Sequence, residues 1–144
     1  MDISDLRKRI LRALDDARKE TEARRQNTSQ ASEAYGRFLS EIAVPLFLQA
    51  ATVLRAEGHP FGVNTPAESV RLASDRFSQD FVELELDATT PQPQVIGRTS
   101  MARGGKGLLV EERPLAPGKS IDELTEDDVA QFLMAEIRRL ITRI

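Results

Sequence analysis

The side chains in this chain able to do chemistry are few and scattered. His59 is the only histidine and lies in Gly58-His59-Pro60, where a helix ends. A general base needs an orienting partner and a nucleophile, and a metal ligand needs a second His or Cys at helical or short-loop spacing. His59 has neither nearby and reads as a loop residue. Cys is absent, which removes thiolate nucleophiles, disulfides and every Cys-based zinc or iron–sulfur site. Carboxylates pair at Glu83/Glu85, at Glu111/Glu112, and at Asp122/Glu123 with Glu126, Asp127 and Asp128. Such pairs can hold Mg²⁺ or share acid–base work only where they converge in a cleft. Glu83 and Glu85 fall on the expected wet face of a strand, and the last group reads as helix capping. No metal or cofactor is therefore expected.

Ala102-Arg103-Gly104-Gly105-Lys106-Gly107 has the superficial look of a phosphate loop. Ser100 stands where such a loop has its first Gly, Gly107 replaces the Ser or Thr, and a strand rather than a helix follows. The segment reads as a hairpin tip. Its two cations, Arg103 and Lys106, remain the one anion-site candidate.

These residues must be held by elements that the rest of the chain defines. The chain has 144 residues and a net charge of −3, fitting one domain or a small domain with a helical appendage. Residues 1–57 carry a net +1, 58–119 a net −1 and 120–144 a net −3. No segment is strongly basic, and aromatic interleaving of the basic runs is missing, so nucleic acid is disfavoured as a partner. The N-terminus lacks the apolar core of a secretory signal. The apolar run from Ile42 to Leu54, interrupted by Pro45, Gln49 and Thr52, is too short for a bilayer span. The expectation is a soluble cytoplasmic protein with no membrane role.

Residues 1–57 hold Pro45 as their only proline and Gly36 as their only glycine, and read as nearly continuous helix. A straight helix of that length would be about 80 Å long, so it must fold back as a helical hairpin or be covered by another chain. Ile3, Leu6, Ile10, Ala13 and Ala17 follow the alternating three- and four-residue steps of a narrow seam, which Leu11 and Leu14 widen. From Arg18 to Glu33 the sequence is almost wholly polar. A corner near Asn27-Thr28-Ser29 is one expectation there, a solvated helix the other. Apolar periodicity returns from Tyr35 to Leu54, with a kink or restart expected at Pro45, and Gly58 and Pro60 end the helix.

Thr65-Pro66-Ala67-Glu68 could cap a helix over 66–78, but the alternation of Val70 and Leu72 tips the reading toward a strand, Ser69–Ser74. Val82, Leu84 and Leu86 alternate with Glu83, Glu85 and Asp87, the pattern of a strand with one wet face. Residues 95–112 read as a hairpin closed at Gly104-Gly105, which would set Met101 opposite Leu108, Thr99 opposite Val110 and Arg98 opposite Glu111. Thr125 and Asp128 make a capping box, Leu124 and Val129 a hydrophobic staple. The helix that follows, 126–143, presents Val129, Phe132, Leu133, Ile137, Leu140, Ile141 and Ile144 on one face.

The expected fold class is α+β: an N-terminal long helix or helical hairpin (1–57), then a small α+β domain (58–144). That domain would carry an antiparallel sheet of three or four strands and a C-terminal helix packed on the sheet. The expected role is a non-enzymatic interaction or assembly module that self-associates through Ile3, Leu6, Ile10 and Leu14, with another protein as the other candidate partner. The alternative is a small-ligand-binding domain with its pocket between sheet and helices. An enzyme is disfavoured by the missing nucleophile–base constellation.

Overall fold

The Asp2 carboxylate accepts a hydrogen bond from the Ser4 N–H at 3.4 Å and starts helix α1, Ile3–Phe38. The computed structural model describes residues 1–142; Arg143 and Ile144, placed by the sequence pattern at the end of the last helix, lie outside the described residues. Helix α1 runs without a break through Asn27, Thr28 and Ser29. There is neither corner nor helical hairpin. Residues 18–33 offer no apolar face to fold back on, whereas charges such as Lys19 and Asp15, paired at 3.2 Å, suit a solvated helix.

The break comes later. Leu39–Ala43 form one π turn, in which the Val44 N–H reaches back to the Leu39 carbonyl, and α2 follows as Val44–Ala56. Pro45 explains the widening: it brings no N–H and its ring crowds the turn before it, and an inserted residue relieves that crowding. The expected restart at Pro45 is thus present as a π turn inside one continuous rod, Ile3–Ala56. This rod is long and apolar enough to cross a bilayer by length and composition, more than the sequence reading allowed. Here its apolar part instead supplies Ala43, Phe47, Ala51 and Leu54 to the core.

Five antiparallel strands follow in sequential order: β1 (Phe61–Asn64), β2 (Val70–Ser74), β3 (Phe81–Asp87), β4 (Gln94–Ala102) and β5 (Leu108–Pro114). The strand beyond the expected three or four is β1, whose Gly62 and Asn64 hide its pairing with Ala73 and Arg71. Residues 66–78 are not helical as a unit. Pro66–Glu68 make a single 3-10 turn, with Ala67 and Glu68 at φ 48° and 61°, and β2 begins at Val70. Non-glycine residues reach that left-handed region at a cost of about 1–2 kcal/mol each. The Tyr35 hydroxyl donates to the Glu68 carbonyl at 2.6 Å and fastens the turn to α1. Burial, then Glu85, Glu68 and Glu83, push the Tyr35 phenol well above its usual range, so it stays a donor.

One face of the sheet, bearing Val70, Leu72, Val82, Leu84 and Val95, joins a core with Tyr35, Phe38, Phe47, Leu54, Phe132 and Leu140. Helix α3, Glu126–Thr142, packs on this face. Its start is the expected capping box: the Asp128 N–H donates to Thr125 Oγ1 at 3.2 Å and the Thr125 N–H to the Asp128 carboxylate at 2.9 Å. Leu124 and Val129 are both buried beside it.

The β4–β5 hairpin differs from its expected closure by one residue. Arg98 pairs with Glu112, Thr99 with Glu111, Ser100 with Val110 and Met101 with Leu109. The loop is not a two-residue turn at Gly104-Gly105 but five residues, Arg103–Gly107. A 3-10 turn over Gly104–Lys106 closes it, with the Arg103 N–H donating to the Gly107 carbonyl at 2.7 Å. The glycines in the left-handed region are Gly104 and Gly107, not Gly105. Because side chains alternate faces, the slip turns Leu108 and Val110, expected to face inward with Met101 and Thr99, out to solvent at 50% and 47% exposure, and packs Leu109 against the core instead.

Candidate functional site

Two places merit a functional reading, and they lie at opposite ends of the molecule. The first is the free part of α1. Every residue from Met1 to Gln30 is exposed, and at 1.5 Å per residue this arm extends about 45 Å. Along it Ile3 is 83% exposed, Leu6 48%, Ile10 49% and Leu14 49%. Ile3, Leu6, Ile10 and Leu11, with the stem of Arg7, line a shallow apolar groove of about 250 Å³. The four seam residues thus share one helix side, as their spacing predicts, and none touches the domain core.

The second is an open cleft of about 860 Å³ where the hairpin loop meets the end of α3. Arg103 and Lys106 line it together with Arg139, Phe77 and Met101. Both candidate cations are thus brought to one concavity, and neither has an ion-pair partner among the described residues. Arg139 is already engaged with Glu111 at 2.7 Å and Glu136 at 3.1 Å. These carboxylates raise its pKa against the opposing effect of burial. Sequence reasoning missed Phe77 and Arg139. The one available signal was Phe77 itself, a large apolar residue inside the polar turn Ser74–Asp80, where it stands 54% exposed.

The remaining candidates are structural. Glu83 is not on a wet face: it is 3% exposed. Its carboxylate accepts from Ser69 Oγ at 2.8 Å, Arg71 Nη2 at 3.2 Å and Arg98 Nη1 at 3.1 Å. Arg98 also binds Glu85 and, at 2.9 Å, Glu112. Its guanidinium is raised further above its ordinary range by Glu85 first, burial opposing and Glu112 adding. The three carboxylates of this ladder are each paired with an arginine. Among the described residues no group of three or more His, Asp or Glu side chains could hold a metal ion. His59 is half-buried in the loop after α2, where its N–H donates to the Leu54 carbonyl at 2.8 Å and completes the helix end.

No protein-family model matches this chain, and no curated protein or solved structure is detectably similar to it.

Proposed function

We propose that this protein is a non-enzymatic assembly module of the cytoplasm, whose N-terminal arm joins it to a second copy of itself. The observation that carries this reading is the apolar seam of an exposed arm about 45 Å long, which lies clear of a core that is complete without it. Contiguous apolar stripes of this kind are seldom left open to water, and the polar residues 18–30 prevent this one from folding back. Native mass spectrometry and light scattering of the full chain, beside a chain lacking residues 1–20, test the reading. The full chain should be a dimer, and the truncated chain a monomer with an unchanged melting temperature, because the removed residues touch nothing in the domain. A full chain that stays monomeric at tens of micromolar overturns it.

A second reading has its own observation. Arg103 and Lys106 converge with Phe77 on one cleft, a combination suited to a small anion bearing an apolar group. Titration of phenyl phosphate into the labelled full chain should shift the amide resonances of 101–107. The Arg103→Ala/Lys106→Ala variant should abolish that response; shifts that persist in the variant count against the site.

A further inference from the structure

The seam's residue types and flanking charges go beyond the fact of pairing: the types set the number of strands and the charges their direction. We infer that two copies join their arms as a parallel, in-register, two-stranded coil over Ile3–Ala17, resting on the self-association reading above. With Ile3 and Ile10 at the first apolar position of each heptad, Leu6 and Ala13 fall at the second, and Ala17 begins the third heptad. In a parallel coil, β-branched Ile at the first position with Leu at the second is the combination that favours two strands over three or four.

The flanking charges agree. In a parallel pair the residue just before each heptad's first position faces the partner residue five places further on. Asp2 then faces Arg7 of the second copy, twice by symmetry. Arg9 faces Leu14, which explains an apolar residue beside the seam: it covers the aliphatic stem of Arg9. The antiparallel arrangement burying the same positions sets Leu6 against Ile10 and Ile3 against Ala13. It also brings Arg9 to Arg9, Arg7 to Arg7 and Asp2 to Asp16, all like charges. Sliding that arrangement by one heptad removes the clash but sets Ile3 against Glu20. The parallel coil also has a natural end. Glu20 and Arg24 take the next inward positions and would meet their own copies across the axis, so the helices part after Ala17 and each carries its domain away separately.

The chain has no cysteine of its own, which makes a direct test clean. In Ala13→Cys, whose new side chain sits at an inward position of an exposed helix, mild oxidation should convert nearly all of the dimer to a disulfide-linked species. Arg7→Glu should weaken the dimer about tenfold by setting it against Asp2. A dimer that forms no Ala13→Cys disulfide overturns the parallel coil. So does an equimolar mix of Leu6→Cys and Ile10→Cys chains that yields only the mixed disulfide. A wild-type monomer instead removes the self-association reading beneath it, so the two failures are told apart.

Discussion

Gly97 on β4 lies directly under the ring of Phe132 on α3, so closely that a Cβ at position 97 would sit 2.5 Å from Phe132 Cε1. Gly97 is paired with Leu84 on β3 and Arg113 on β5, and the Arg113 guanidinium stands 4.9 Å from the centre of the same ring. The absence of a side chain at 97 is thus what lets α3 settle on the sheet. Gly97→Ala should destabilise the domain by about 1–3 kcal/mol, the usual cost of overpacking. Phe132→Leu in the same chain should recover part of that loss. Chemical denaturation of the three variants checks it; a Gly97→Ala midpoint equal to wild type would mean that helix and sheet are further apart than described.

The hairpin loop makes a contrast between neighbouring glycines. Gly107 has φ 88° and Gly104 φ 57°, whereas Gly105 is outside the left-handed region and has open space around it. Gly107→Val should therefore cost stability, since a β-branched residue resists that conformation. Gly105→Ala should be close to neutral. Thermal melts of the two single variants test the five-residue loop against a turn centred on Gly104-Gly105, which would make Gly105→Ala harmful and Gly107→Val harmless, since residue 107 would then lie in a strand.

What the sequence revealed here depended on how local the governing interaction was. The Thr125–Asp128 box, the alternation of Val82, Leu84 and Leu86 and the helix that carries Ile3–Ala17 are each written within a few residues, and each is found in place. The one-residue slip between β4 and β5 was hidden because both closures pair an arginine, Arg98, with a glutamate, Glu111 or Glu112, so cross-strand chemistry did not discriminate. Glu83 looked like a solvent-facing residue of an alternating strand. Its burial follows from Arg71 and Arg98, which reach it from neighbouring strands and cannot be seen in its own segment. The cleft residues Phe77 and Arg139 come together only once α3 lies on the sheet. The π turn likewise needs the three-dimensional helix, because the sequence shows only that Pro45 is awkward.

Asp128 should make the domain acid-sensitive in a specific way. Its carboxylate accepts from Lys119 Nζ at 2.9 Å and is held below its ordinary pKa of 3.8, first by Lys119 and, against some burial, by Thr125. A carboxylate with a depressed folded pKa adds stability above its unfolded pKa and loses it as pH falls through the folded value. The stability gap between wild type and Asp128→Asn should therefore be fully open at neutral pH and begin to close only below 3.8. Melting temperatures of both proteins across the acid range give the measurement. A constant gap would show that the helix start depends on the shape of the side chain and not on its charge.

Glu83 and Glu85 make the sharpest comparison within one strand. Two positions apart on β3, they face the same side of the sheet and share Arg98, yet their side chains are 4% and 37% exposed. Removing Glu83 leaves Arg71 and Arg98 facing each other with no carboxylate between them. The Arg71 Nε is already buried without a hydrogen-bond partner among the described residues. Its remaining favourable contact is the Phe81 ring, whose centre lies 4.0 Å away. Breaking a buried pair from one side costs about 3–5 kcal/mol, whereas a pair open to water is worth at most about 1 kcal/mol. Glu83→Ala should thus be severely destabilising and Glu85→Ala mild, with Arg98 still held by Glu83 and Glu112 in the latter. Glu83→Gln should fall between them, keeping an acceptor for Ser69 while losing the charge that separates the two arginines. Urea midpoints of the three variants rank the effects; equal losses at 83 and 85 would mean that water reaches both positions alike.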